Sequence, residues 1–205
     1  MALIDHLINE GWLKAPRIIE AFRRIKRVDF LPKDLEDLAE LNEALPIGYG
    51  QTISQPLVVV FMLEQLEPKE GDKILDIGSG SGWTSALLGE IVGKKGRVIA
   101  IDIIPELVEF GKNNVAKYNF IEKGIVEFIC ADGSKGYKKE APYDGILVSA
   151  AAQTEVPRAW KEQLKIGGRI VTPIGSSIWL FTKKSESKFE EIEYPGFAFV
   201  PLISK

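Results

Sequence analysis

The sequence predicts an α/β fold: a doubly wound, mostly parallel, seven-stranded sheet with helices on both faces, an antiparallel edge strand and an N-terminal helical layer. Three observations predict it. Short β-branched runs, "DKILDIG", "GRVIAID", "IVEFICAD" and "YDGILVSA", alternate with stretches of helical periodicity, which is how crossover units build a parallel sheet. The first run ends in clustered glycines that open a helix. Three further β-rich runs, "RIVTPIG", "SIWLFTKK" and "FAFVPLI", close the chain, and only the polar "SESKFEEIEYPG" separates the last two, so those two are expected to pair antiparallel at one edge.

Taken in order, Leu3, Leu7 and Ile8 fall at helical intervals, and Ile18, Ile19, Phe22 and Ile25 do so again after Pro16, a residue suited to a first helical turn. Two short amphipathic helices follow. The chain breaks at Pro32 and resumes as a helical turn over residues 34–41. Residues 56–66 are apolar on a helical repeat, with Pro56 at the start and Pro68 beyond the end. Helical periodicity returns over 83–92, 105–118 and "VPRAWKEQL". One domain spanning 1–205 is expected, with 1–66 as its helical layer and leading loop.

Composition limits the function classes. The 205 residues are 45% hydrophobic and 27% charged, enough for one sizeable core. A net charge of −3 argues against neutralising many nucleic-acid phosphates, so no nucleic-acid partner is expected. The single cysteine, Cys130, rules out an internal disulfide and a cysteine-rich zinc cluster, and no metal site is expected. No apolar run approaches the roughly 18 residues of a membrane span, and "MALIDHLINEGWLK" lacks the apolar stretch of a signal peptide. A cytoplasmic monomer without a membrane partner is expected. The only histidine, His6, reads as solvated or helix-packed, and Cys130, inside a strand, as a small buried hydrophobe.

Chemistry concentrates after the first strand. Asp76, Gly78, Ser79, Gly80, Ser81 and Gly82 precede Trp83 at the carboxyl end of that strand, where open parallel sheets bind ligands. A dinucleotide fingerprint needs G-x-G-x-x-G, and neither register supplies it: Trp83 or Ser85 stands where the third glycine belongs. The remaining pattern, D-x-G-x-G-x-G, is the arrangement of S-adenosylmethionine methyltransferases with a Rossmann-like sheet. Asp102, ending "RVIAID", fits the acidic residue that receives ribose hydroxyls, and Asp132 with Gly133 in "FICADG" fits the adenine side. The bland alternative is a doubly wound fold with turn glycines and solvated aspartates. No P-loop lysine is present, which argues against phosphoryl transfer.

"ALPIGYGQTISQP", residues 44–56, raises the remaining question. Turn chemistry accounts for its glycines and prolines but not for Thr52 and Ser54 behind Gln51. Together with "RVDFLP" (27–32), "ILDIGSGSGWTSALL" (74–88) and "SAAAQTEVPRAWKEQLKIGGRIVTPIG" (149–175), the stretch resembles the protein-L-isoaspartate O-methyltransferases, which methylate the abnormal carboxylate left by asparagine deamidation or aspartate isomerisation. The resemblance implies S-adenosylmethionine as donor, S-adenosylhomocysteine as product, and isoaspartyl proteins or peptides as acceptors. It makes residues 44–56 the active-site loop, with Ser54 first and Thr52 second at the transfer site. Gln51, Thr52, Ser54, Ala151 and Ala152 are then expected on the acceptor side. An accessible, flexible segment is the expected acceptor, because a β-linked residue must enter as backbone.

That implication agrees with the chemistry. A carboxylate is already nucleophilic near neutral pH, so esterification needs alignment and dryness more than a base or metal. Neutral hydroxyl and backbone N–H donors can hold one carboxylate oxygen without blunting the other. Ser54 could equally cap the helix that Pro56 begins. Two rivals stay open: a related methyltransferase acting on another carboxylate or hydroxyl, and a non-catalytic S-adenosylmethionine-binding module. The chain also departs from the family's pattern, with Leu57 in place of histidine or tyrosine, no aromatic residues in "DLAELNEALP", and Gln153-Thr154-Glu155 where a shorter link is usual, so a longer loop is expected there.

Overall fold

A computed structural model describes residues 3–152 and 155–203, so the longer loop expected at Gln153 and Thr154 lies outside the described residues. Helices α1 (Leu3–Asn9) and α2 (Pro16–Arg24) form where the apolar spacing put them, and Ile18, Ala21 and Phe22 are the buried stripe of α2. Residues Arg27–Phe30 form a 3-10 turn. The turn expected over 34–41 is a second one, Lys33–Leu38, with no buried residue. Only Leu38 and the adjoining Ala39 reach the core, too little apolar burial to hold a longer α-helix.

The stretch read as turn chemistry is a hairpin. β1 (Leu45–Gly48) pairs antiparallel with β2 (Gln51–Ile53), Leu45 facing Ile53 and Pro46 facing Thr52. Its turn residues Tyr49 and Gly50 both have positive φ, 54° and 71°, the mirror-image turn whose twist matches that of paired strands. Strand alternation sends Leu45, Ile47 and Ile53 into the core and leaves Thr52 outside. Helix α3 (Pro56–Leu66) follows at once, and its Leu57 N–H donates to Asn42 Oδ1 at 3.0 Å. Capping therefore comes from Asn42 and not from Ser54.

The main sheet contains β3 (Lys73–Ile77), β4 (Arg97–Asp102), β5 (Val126–Cys130), β6 (Tyr143–Val148), β7 (Leu164–Ile174), β8 (Ser177–Lys183) and β9 (Phe189–Pro195), ordered β5-β4-β3-β6-β7-β8-β9. Every pairing from β5 to β7 is parallel, and β8 runs antiparallel to both its neighbours. Strands β3 and β4 alternate strictly. Ile74, Val98 and Ala100 join the core shared with α2, α3, α4 (Trp83–Val92) and α5 (Pro105–Ala116), while Leu75, Ile77, Ile99 and Ile101 join the core around Trp160 of α6 (Arg158–Gln163). Asp76 consequently faces α4. The chain turns back from β5 to β6 beside β3, which puts a crevice at the carboxyl ends of β3, β4 and β6.

Two expectations need correction. The seventh strand is "FEEIEYP", taken from the sequence as a polar link, and not "FAFVPLI". As an open edge it is exposed on both faces, so its residues carry no buried stripe and read as loop; the backbone ladder to β8, from Ser177 opposite Pro195 to Lys183 opposite Phe189, holds it. "FAFVPLI" instead returns to the crevice, where Pro201, a residue that suits no interior strand, sits beside Ala151. Cys130 is exposed and not buried, because it is the last residue of the opposite edge strand. His6 is exposed and lies 3.3 Å from Glu10, as a solvated histidine should.

Candidate active site

The crevice is a cavity of about 740 Å³, counting the open solvent at its mouth, within the range of small-molecule sites. Its floor is the loop after β3, where Gly78 and Gly80 have φ of 76° and 51°. A side chain on Gly80 would come 3.2 Å from Ile47 of the hairpin, and one on Gly78 would come 3.6 Å from Ala150, so the glycines let two walls close over the loop. Ser79 and Ser81 line the same floor.

Asp102 ends β4 at the rim. Its Oδ2 accepts the Gly80 N–H at 2.9 Å and its Oδ1 the Ile104 N–H at 3.0 Å, which fixes the carboxylate while leaving lone pairs for sugar hydroxyls. Burial pushes its pKa up, and the N–H groups of Ile104 and Gly80 oppose that. Ile103 and Ile104 add an apolar wall, and Gly133 closes the side after β5. A side chain on Gly133 would meet Ile77 Cγ2 at 2.5 Å. Trp160 Nε1 donates to Gly133 O at 2.8 Å, so α6 pins this turn from the far face of the sheet.

Three residues named for the donor do not line the cavity. Asp76 is fully buried; its Oδ2 accepts from Thr84 Oγ1 at 2.9 Å and Ser85 Oγ at 2.6 Å, which fixes the start of α4 against β3. Burial raises its pKa to about 6. Gly82 serves packing: with φ of 85°, a side chain there would meet Gly111 O at 2.8 Å. Asp132 turns its Oδ1 onto the Ser134 N–H and hydroxyl, at 3.0 and 2.6 Å, and its Oδ2 lies 3.2 Å from Lys135 Nζ.

Opposite the floor stands the hairpin. Gln51, Thr52, Ile53 and Ser54 line the cavity. Gln51 Nε2 donates to Tyr49 O at 3.4 Å, and the hydroxyls of Thr52 and Ser54 make no hydrogen bond among the described residues. A more open groove adjoins the cavity, lined by Ala44, Gln55, Val58, Ala198 and Phe199, and sharing Thr52, Ser54, Ser149 and Val200 with it. Ala151 and Ala152 are not in either lining. Ala151 donates its N–H to Val200 O and accepts from Leu202 N–H, both at 2.8 Å, while Ala152 N–H donates to Pro173 O at 2.9 Å. Their neighbours Ser149 and Ala150 line the cavity instead.

Sequence reasoning missed the strap of residues 200–203, whose Val200, Pro201, Leu202 and Ile203 form one cavity wall, and also Ser149, Ile103 and Ile104. Pro201 was the available signal for the strap; for the others only their place just after strands β4 and β6 could have served.

Comparisons with known proteins agree with this geometry. The model of the family described as protein-L-isoaspartate(D-aspartate) O-methyltransferase matches residues 1–205. The protein-L-isoaspartate O-methyltransferase of Methanopyrus kandleri is 42% identical over 99% of this chain and 90% of its own, and protein-L-isoaspartate O-methyltransferase 2 of Archaeoglobus fulgidus is 45% identical over 91% and 84%. A solved protein-L-isoaspartate O-methyltransferase superposes with a TM-score of 0.87 at 29% identity, covering 97% of this chain and 64% of that one, so this chain spans under two thirds of its length. A Plasmodium falciparum structure described as a protein-L-isoaspartate O-methyltransferase beta-aspartate methyltransferase, solved with S-adenosyl-L-homocysteine, shares the fold with a TM-score of 0.86 at 21% identity, covering 99% of this chain and 97% of that one.

Proposed function

The chain belongs to the protein-L-isoaspartate(D-aspartate) O-methyltransferase family, and from that premise we infer that it is a protein-repair methyltransferase, esterifying the free carboxylate of L-isoaspartyl residues in damaged proteins and peptides. The observation that carries the reading is the shared wall: Thr52, Ser54, Ser149 and Val200 border both the glycine-floored cavity and the groove beside it. A donor in one and an acceptor carboxylate in the other would meet at those hydroxyls.

The cavity fits S-adenosylmethionine. Gly78, Ser79, Gly80 and Ser81 would cradle its amino-acid end, Asp102 would take the ribose hydroxyls, and Ile103, Ile104 and Gly133 would flank the adenine. Asp76, Gly82 and Asp132 support this cradle from behind. When bound, the donor supplies a sulfonium methyl group and leaves as S-adenosylhomocysteine. The chain's own residues orient and exclude. Thr52 and Ser54 hold one oxygen of the acceptor carboxylate through hydroxyl or backbone N–H donors, leaving the other free to attack. No proton need be removed, since the carboxylate is ionised near neutral pH. The hairpin and the 200–203 strap keep water from the reacting atoms, and alignment supplies most of the rate. Gln51 braces the turn, and Ala151 anchors the strap through its backbone, with Ala152 continuing that tie toward β7.

We further propose one domain, since the helical layer and the sheet share a core that runs from Leu7 to Leu180. A cytoplasmic monomer is proposed with it. The single cysteine supports that setting, the net charge of −3 supports the exclusion of nucleic acid, and no helix among the described residues is long and apolar enough to cross a membrane.

The deciding experiment compares methyl incorporation into an isoaspartyl peptide and its normal aspartyl twin. Base-labile methyl ester on the isoaspartyl peptide alone is expected. Equal rates would favour a different acceptor, and donor binding without ester on any aged protein would favour a non-catalytic module.

A further inference from the structure

Arg27 is a buried charge that plays no part in the cavity lining. It lies in the 3-10 turn after α2 and is 7% exposed. Its Nη1 donates to Ala39 O at 3.2 Å and Leu41 O at 2.9 Å, and its Nη2 donates to Glu43 O at 2.6 Å and Ser54 O at 3.3 Å. Glu43 lies just ahead of β1 and Ser54 directly follows β2, so one nitrogen joins the two roots of the hairpin. The guanidinium carbon stands 5.5 Å from the ring centroid of Trp83, which opens α4 and lines the donor cavity.

We infer that Arg27 is a positioning residue for methyl transfer: it ties both roots of the hairpin to each other and to Trp83, and thereby sets where Ser54 stands relative to the donor cavity. The inference rests on the reading of Thr52 and Ser54 as the transfer site. Packing alone does not account for this side chain. A hydrophobic residue of similar volume would fill the space without desolvating a charge, and the Nε–H remains buried without a partner. A planar, forked cation can bond carbonyls from two separate segments while standing over an indole face. Burial lowers the pKa to about 10, with Glu40 opposing, so the group is cationic at neutral pH. Its hydrogen bonds go to backbone carbonyls, which suits a tether for backbone.

The test uses Arg27→Lys and Arg27→Ala in the full chain, reading kcat and KM for an isoaspartyl peptide alongside S-adenosylhomocysteine affinity by calorimetry. Lysine keeps the charge but lacks the fork, so kcat should fall on the order of 10- to 100-fold in both variants, with donor affinity close to wild type. Added guanidinium should restore part of kcat in Arg27→Ala and none in Arg27→Lys, whose side chain fills the space. An unchanged kcat in a variant that still binds S-adenosylhomocysteine normally would overturn the inference, as would a kcat loss that merely tracks lost donor affinity. Should Arg27→Ala not fold, Arg27→Lys decides alone. Full kcat in Arg27→Lys with a loss in Ser54→Ala would sink this inference and leave the transfer site standing; full kcat in Ser54→Ala would sink the transfer site itself.

Discussion

Ser85 Oγ donates to Asp76 Oδ2 at 2.6 Å within the closed interior between β3 and α4. Thr84 Oγ1 reaches the same oxygen, while Asp76 Oδ1 is buried without a partner among the described residues.

A pH dependence follows. Burial, helped by nearby Asp102, outweighs the two hydroxyls and raises the Asp76 pKa from 3.8 to about 6. The folded state therefore binds this proton more tightly than the unfolded chain. The group's contribution to stability is fully present below about pH 3.8 and is lost as pH rises to about 6, some 3 kcal/mol at most, beyond which it is flat. Urea melts of wild type and Asp76→Asn should diverge in slope only within that window. Parallel slopes would mean that Asp76 titrates normally.

Ser54→Ala and Thr52→Ala test the transfer wall. On the proposed role of these hydroxyls each change removes one neutral donor to the acceptor carboxylate, and turnover should fall on the order of tenfold, more for Ser54. S-adenosylhomocysteine affinity, read by calorimetry, should barely change, since the glycine floor is untouched.

The loop glycines should separate by role. Gly82→Ala would put a Cβ 2.8 Å from Gly111 O at φ of 85°, so it should cost about 2 kcal/mol or more in a thermal or urea melt. Gly80→Ala, at a φ of 51° that side chains adopt more readily, meets the flexible end of Ile47 at 3.2 Å and Gly78 O at an ordinary 3.9 Å, so it should cost less stability and more donor affinity. Similar melting points for the two variants would contradict the division.

The contrast shows what was legible. Gly78 to Gly82 announced a ligand loop because close backbone approach has a local signature, but whether each glycine faces ligand or a neighbouring helix depends on Gly111, far along the chain. Strands β3, β4 and β6 were readable because burial on both faces leaves apolar runs. β9 was not, because an edge exposed on both sides keeps its polar residues. "FAFVPLI" misled for the converse reason: it is apolar to cover a cavity. Asn42 as cap and Arg27 as tether join distant segments, for which no local pattern exists.

Leu202→Pro tests the strap. It deletes the N–H that donates to Ala151 O at 2.8 Å and trims a side chain that only flanks the core around Trp160, leaving that core's buried members in place. Dissociation of S-adenosylhomocysteine, followed by stopped flow, should speed up about tenfold, as expected for losing one buried tie of roughly 1.4 kcal/mol. An unchanged rate would show that residues 200–203 do not retain the donor.

β9 ends the sheet order, so among the described residues no further strand pairs with its outer margin. Margins of that kind recruit strands from other molecules and can seed fibres. Here Glu190, Glu191 and Glu193 occupy three of seven positions, so an incoming copy of the same strand would bring like charges together along the seam. The polarity that made this strand look like a linker thus doubles as a guard against polymerisation.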